Sequence, residues 1–220
     1  MKRIRLICFV VAVIVFGGLV FVLYPAKEPS YEGRNLSEWI EDVKKSPHTE
    51  LEVQAASHAL KQMAPDAIPI LLKWVQAKDE PAAEIKLKIW LMQLTHSHSR
   101  ILRSKPVDYI RNDAFFGFQL LGSEAKPAWP VLIQWTSSAD KERRLWAFEC
   151  LAASKPDKET FLPVLTRLFQ DPDKQIQEAV AYVYHDQYPQ DAETAGVYKV
   201  YPFLKNQPRI ESSLDETPAK

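Results

Sequence analysis

Glycine, cysteine and a dominant charge are what this 220-residue chain has least of. Six glycines stand against sixteen prolines, a balance that suits short proline-punctuated helices better than a β-rich fold. The sequence contains no glycine-rich phosphate loop, no Gly-x-Ser-x-Gly elbow and no His-Glu-x-x-His pair, so the usual phosphate, acyl-transfer and zinc-protease signatures are missing. The two cysteines lie in unlike places. Cys8 sits inside an apolar run and Cys150 inside a helical pattern, so no disulfide is predicted and the redox compartment is not legible from them. Formal charge is zero, and without Lys2, Arg3 and Arg5 the chain has 25 basic residues facing 28 acidic ones. A duplex-binding surface needs a basic footprint to release counterions, so nucleic acid is not an expected partner.

What is present starts with a core. Hydrophobic residues make up 46% and charged residues 25%, which allows a packed domain and argues against wholesale disorder. At the N-terminus, residues 1–24 read as a basic stub followed by an unbroken apolar run, Leu6 to Tyr24. As a helix the run would be about 28 Å long, enough to cross the hydrocarbon core of a bilayer. A cleaved signal needs a shorter run and small residues before the cut, and Tyr24 and Pro25 occupy that place. The expectation is an uncleaved single-pass anchor. Its basic flank puts the N-terminus in the cytoplasm and exports the rest.

Residues 25–34 then read as a tether, 35–205 as an all-helical domain and 206–220 as a flexible tail. Asn35 with Glu38, and Thr49 with Glu52, have the spacing of capping boxes. Leu36, Trp39, Ile40 and Val43 form one apolar stripe, and Val53, Ala56, Leu60 and Met63 form the next. Pro65-Asp66 marks a turn before a helix over 67–76. Asp79 is expected to cap a helix burying Ile85, Ile89 and Met92, with Trp90 and Leu94 widening that face. The pattern weakens between His96 and Lys105. Pro106 is expected as the first residue of a helix that buries Val107, Ile110, Ala114 and Phe118 and ends at Gly122. A further helix runs to Ser137, and Asp140 caps one burying Leu145, Phe148, Leu151 and Ala152. Pro156-Asp157 repeats the earlier turn, the next helix ends near Gln170, and Asp173 caps one with Ile176, Ala179, Val180 and Val183. A last helix spans 192–205.

Repetition organises these helices. Pro69-Ile70-Leu71-Leu72-Lys73-Trp74, Pro130-Val131-Leu132-Ile133-Gln134-Trp135 and Pro163-Val164-Leu165-Thr166-Arg167-Leu168 are copies of one phrase, and Asp79, Asp140 and Asp173 each follow the proline by ten positions. Ala56, Ala114, Ala147 and Ala179 share one place in the alternate helices. A helix pair with one apolar face cannot bury it alone, so the pairs are expected to stack. The junction Leu120-Leu121-Gly122-Ser123-Glu124-Ala125-Lys126-Pro127-Ala128-Trp129-Pro130-Val131-Leu132-Ile133 resembles the junction between units of bacterial HEAT-repeat proteins, over roughly Thr49 to Leu204. Tyr31-Glu32-Gly33-Arg34-Asn35-Leu36-Ser37-Glu38-Trp39 is similar to the opening of membrane-tethered members. The resemblance implies an all-α fold, an α-solenoid of about four HEAT-like hairpins behind the transmembrane helix. It also implies a scaffold on the extracytoplasmic side of a bacterial inner membrane.

His96 and His98 flank Ser97 without a third ligand, so no metal is expected. His185-Asp186 resembles the pair of helical metal-dependent phosphohydrolases but lacks the other histidine and the later aspartate. The environment of Cys150 predicts a buried, inert thiol. Asp140, Arg143, Arg144 and Trp146 could imitate the basic face of HEAT-like DNA glycosylases, but capping is the better role for Asp140. If the array curves, Phe115, Arg143, Trp146 and Tyr182 are the candidate partner-binding residues, since Trp, Tyr and Arg suit such surfaces. The expected function is a non-catalytic membrane-anchored scaffold for a protein partner, with no catalytic residue, cofactor, metal or small-molecule substrate evident. The alternative is a HEAT-like enzyme or enzyme accessory, lyase-like or hydrolytic.

Overall fold

The computed structural model describes residues 28–45, 49–95 and 105–209, and nearly all of them lie in helices or the turns that join them. The Leu6–Tyr24 run and the His96–His98 pair fall outside the described residues. Among the described residues no helix is long and apolar enough to cross a membrane. The chain divides into two compact units, Met1–Ala114 and Phe115–Lys220.

Unit 1 opens on structure where the sequence suggests a tether. Strands β1 (Ser30–Tyr31) and β2 (Arg34–Asn35) pair antiparallel. Glu32 and Gly33 turn between them with φ of 50° and 76°, the left-handed backbone that a two-residue hairpin turn requires. The hairpin docks onto α1 (Leu36–Lys44): Trp39 Nε1 donates to the Tyr31 carbonyl at 3.3 Å, and the Arg34 guanidinium lies 3.9 Å from the Trp39 ring centre. The Glu38 carboxylate accepts the Asn35 amide, and the Glu28 carboxylate accepts the Ser37 amide. Leu36, Trp39, Ile40 and Val43 are all buried, as their spacing predicts. Helix α2 (Glu50–Gln62) starts with the expected reciprocal box, Glu52 taking the Thr49 amide at 2.6 Å and Thr49 Oγ1 taking the Glu52 amide at 3.3 Å.

Helix α3 (Ala64–Val75) begins earlier than its sequence suggests, so Pro65-Asp66 is its first turn and not a loop. Pro65 costs nothing there, because the amide it lacks has no partner in a first turn. Helix α4 (Ala82–Thr95) departs from expectation twice. Asp79 lies three positions ahead of the first helical residue, and the Pro81 carbonyl accepts the Glu84 and Ile85 amides in its place. Glu80 precedes Pro81, and a residue before proline is pushed out of helical backbone, so the helix cannot start at Glu80 with Asp79 as its cap. The predicted inward face is also in solvent: Ile85 is 36% exposed, Ile89 44% and Trp90 55%. Leu87, on another side of the helix, is 43% exposed. The Met92 and Leu94 side chains fall outside the description.

Helix α5 (Val107–Leu121) follows Pro106, whose carbonyl accepts the Tyr109 and Ile110 amides. Pro106 therefore precedes the helix and is not its first residue. Its N-terminal half is tied to α1 by a polar cluster. Lys44 Nζ is 2.5 Å from Asp113 and 3.5 Å from the centre of the Tyr109 ring, and the Tyr109 hydroxyl donates to Glu41 at 2.6 Å. Lys105 reaches the other Asp113 oxygen at 3.3 Å. The buried carboxylate is thus paired twice, which a charge out of water requires.

Unit 2 takes over inside α5. Gly122, at φ 54°, ends that helix as expected and leads into a 3-10 segment, Gly122–Ala128. Helices α6 (Trp129–Trp135), α7 (Lys141–Ala153), α8 (Lys158–Leu168) and α9 (Lys174–Gln187) follow. Helix α6 packs on α7, α8 on α9, and α7 on α9. The predicted caps are present. Asp140 accepts the Glu142 and Arg143 amides, and Asp173 accepts the Gln175 amide. Asp157 caps α8 through the Thr160 amide, where only a turn is expected from sequence. The closing helix predicted over 192–205 is broken into α10 (Pro189–Thr194), α11 (Val197–Val200) and a 3-10 turn, Pro202–Asn206. Gly196, at φ 75°, makes the break.

The repeat in unit 2 is written in hydrogen bonds at a constant interval of 33 residues. The Ser138 amide bonds the Trp135 carbonyl as Asp171 bonds Leu168. The Asp140 amide bonds Ser138 Oγ as Asp173 bonds the Asp171 carboxylate. Arg144 donates to the Ser138 carbonyl as Gln177 donates to that of Asp171. This interval also corrects one assignment: the partner of Ala114 and Ala147 is Val180, fully buried like them, while Ala179 is half-buried. Between the two hairpins, Arg144 makes a two-pronged pair with Asp171 at 2.9 and 3.1 Å. Lys141 reaches Asp173 at 3.0 Å, and Arg167 donates to Ser137 and Thr136. Trp129 Nε1 bonds Ser154 Oγ at 2.9 Å in the interior.

Candidate interaction surface

The outward side chains of unit 2 follow from the same interval. Along α7, Glu142, Trp146, Glu149 and Ala153 escape burial at steps of four, three and four residues, which is one face of a helix. Their counterparts on α9, thirty-three residues on, are Gln175, Ala179, Tyr182 and Asp186, and these also escape burial. Because α7 and α9 pack side by side, the two rows form one surface. Phe116 on α5 holds the place equivalent to Glu149 and Tyr182, so one position carries Phe, Glu and Tyr in turn.

The four predicted partner-binding residues do not all belong to this stripe. Trp146 and Tyr182 do. Tyr182 is 37% exposed, with its ring edge-to-face against Phe203 at 6.4 Å. Phe115 holds the place that Phe148 and Ala181 fill, both fully buried, and its own half-buried ring packs edge-to-face on Phe116 at 5.5 Å. Arg143 holds the place of the fully buried Ile176, and is itself half-buried in the first turn of α7. A choice by residue type alone mixes two faces; the 33-residue interval separates them.

Glu149 is the residue that a search by type passes over. Its carboxyl is drawn up from the ordinary glutamate range by burial alone. The legible signal is its place, three residues after Trp146 and thirty-three before Tyr182. Its charge, added to complete burial, raises the neighbouring Cys150 thiol well above the usual range, burial being the larger cause. Cys150 is fully buried and held protonated, the inert thiol its neighbours predict.

Other candidate chemistry resolves into packing. His185 is buried on α9, with Nδ1 3.2 Å from the Tyr198 hydroxyl and Nε2 without a hydrogen-bond partner. It is walled off from water, and among the described residues no group of three or more His, Cys, Asp or Glu side chains could hold a metal. Asp140 caps α7 and Arg144 is committed to Asp171 and two carbonyls, so neither is available to a nucleic acid backbone. No family model, no curated protein and no solved structure matches the chain.

Proposed function

We propose that the chain is a membrane-tethered, HEAT-like α-solenoid that acts as a scaffold: a non-catalytic array on the extracytoplasmic side of a bacterial inner membrane that docks another protein on its second helices. One observation carries this reading. Two adjacent helices, fixed in register by the repeated turn bonds, carry half-buried Trp146 and Glu149 and the more exposed Tyr182 along one surface. Aromatic side chains on a rigid support lose little freedom on binding and dominate interface energetics. The 33-residue interval that unit 2 keeps supports the solenoid, since units that repeat both their buried and their bonded positions stack by the same operation each time. The apolar run from Leu6 to Tyr24 and the basic residues ahead of it support the anchor and its orientation.

The test is crosslinking in native membranes, followed by mass spectrometry. One partner is expected, with crosslinked peptides that map to α7 and α9, and the pair Trp146→Ala and Tyr182→Ala should reduce that crosslink about tenfold while Gln134→Ala on α6 leaves it unchanged. An identical crosslink pattern in all variants refutes the surface. Catalytic turnover that depends on His185 or Asp186 refutes the non-catalytic reading.

A further inference from the structure

We propose that Trp146 and Glu149 receive an arginine side chain of the docking protein, its guanidinium flat on the indole and forked onto the carboxylate; this rests on the scaffold reading above. The chain itself supplies the pattern. On α1, Trp39 and Asp42 stand three residues apart, on one side of the helix. They share Arg34, whose guanidinium lies 3.9 Å from the Trp39 ring centre and donates to the Asp42 carboxylate. On α5, Tyr109 and Asp113 stand four apart and share Lys44, which lies 3.5 Å from the ring centre and 2.5 Å from the carboxylate. Trp146 and Glu149 repeat the first spacing on α7. Among the described residues, no cation lies over the Trp146 ring and no hydrogen bond or ion pair reaches Glu149.

The chain's own cations near this pair are directed elsewhere. Lys141 precedes Trp146 by five residues, as Arg34 precedes Trp39, but it reaches Asp173 at 3.0 Å. Arg144 is taken by Asp171, and Arg143 lies off the outward stripe. Glu149 is therefore a half-buried carboxylate with no counter-ion among the described residues, and burial alone raises its hold on a proton. A charge partly out of water gains most from an opposite charge brought to it. The rest of the face agrees in sign. The outward stripes of α7 and α9 carry three acidic residues, Glu142, Glu149 and Asp186, and no lysine or arginine. Tyr182, at the place of Glu149 on the adjoining helix, adds a second ring. Arginine fits better than lysine, because its guanidinium is planar and weakly hydrated. It can stack on a ring while reaching both oxygens of one carboxylate, whereas an ammonium keeps its water.

The experiment uses the full chain in native membranes, with crosslinking and mass spectrometry to read the partner peptide seated on α7 and α9. Glu149→Gln keeps the shape of the side chain and removes only its charge, and an unchanged or higher melting temperature shows that the fold is intact. It should lower the crosslink about tenfold, while Glu159→Gln, an exposed acid on α8, should leave it unchanged. The crosslinked peptide should contain an arginine. Replacing that arginine by glutamine should lower the crosslink about as much, and the two changes together no more than either alone. If no partner peptide maps to α7 and α9, the scaffold reading falls and this inference with it. A crosslink that falls with Trp146→Ala yet ignores Glu149→Gln overturns the arginine site alone. So does a crosslinked peptide without arginine, or simple additivity of the two glutamine variants.

Discussion

Replacing Arg144 by methionine should be the most damaging single change in unit 2 outside the apolar core. Arg144 and Asp171 leave 13% and 5% of their side chains exposed, and two parallel bonds join them. The arginine also satisfies the Ser138 and Ala139 carbonyls. Methionine keeps much of the volume but strands the Asp171 carboxylate, whose remaining bond is the Asp173 amide. An uncompensated charge of this kind costs about 3–5 kcal/mol. For a unit of this size that lowers the melting temperature by on the order of 12–25 °C. Asp171→Asn keeps an acceptor for the Asp173 amide and removes the charge, so it should cost about 1–2 kcal/mol. The double variant should recover about 2 kcal/mol relative to the sum of the two. The assay is thermal and urea unfolding of the full chain in detergent, followed by circular dichroism. A loss below about 1 kcal/mol for Arg144→Met, or simple additivity in the double variant, refutes the idea that this pair locks the two hairpins.

Glu149→Gln should stabilise the protein at pH 7 by up to about 1 kcal/mol. The folded carboxyl binds its proton more tightly than the unfolded one, so the native chain gains stability as pH falls through the raised value and levels off near the ordinary value of about 4.3. Unfolding at pH 7 and pH 4 checks this, and an advantage of the variant that persists at pH 4 would contradict it. Pro81→Ala should let α4 begin at Glu80 with Asp79 as its cap, adding two helical residues. Amide-proton exchange at Ala82 and Ala83, whose amides would then reach the Asp79 side chain and carbonyl, should slow by about tenfold, and unchanged exchange would show that Pro81 does not set the boundary.

Local chemistry was the most legible layer of this sequence. Thr49, Asp140 and Asp173 cap helices because each needs only its own side chain and an amide two or three residues on. The buried stripes of α1 and α7 were equally readable, since each helix has one apolar side. The failures come where a neighbour overrides the local signal. Asp79 has the right spacing but stands two residues before a proline, and that proline governs the backbone. Ile85 and Ile89 have helical spacing, yet burial also needs a surface to meet, and α4 has no extensive one among the described elements. The candidate surface was half legible. Residue type alone selects Trp146 and Tyr182, which lie on the α7–α9 stripe, together with Phe115 and Arg143, which lie off it. Glu149 follows from the interval of 33, which Pro130 with Pro163 and Asp140 with Asp173 already carry, but matching side chains by type blurs it, as the pairing of Ala147 with Ala179 does.

That interval has a consequence for how such a molecule can change. The bonds that recur every 33 residues use backbone carbonyls and amides, with Ser138 and Asp171, or Arg144 and Gln177, interchangeable in the same office. The outward place beside them holds phenylalanine, glutamate and tyrosine in succession. In the proposed scaffold, recognition and architecture therefore fall to different atoms, so a lineage, or a protein engineer, can rewrite the outward position one residue at a time while the skeleton beneath it stays as it is.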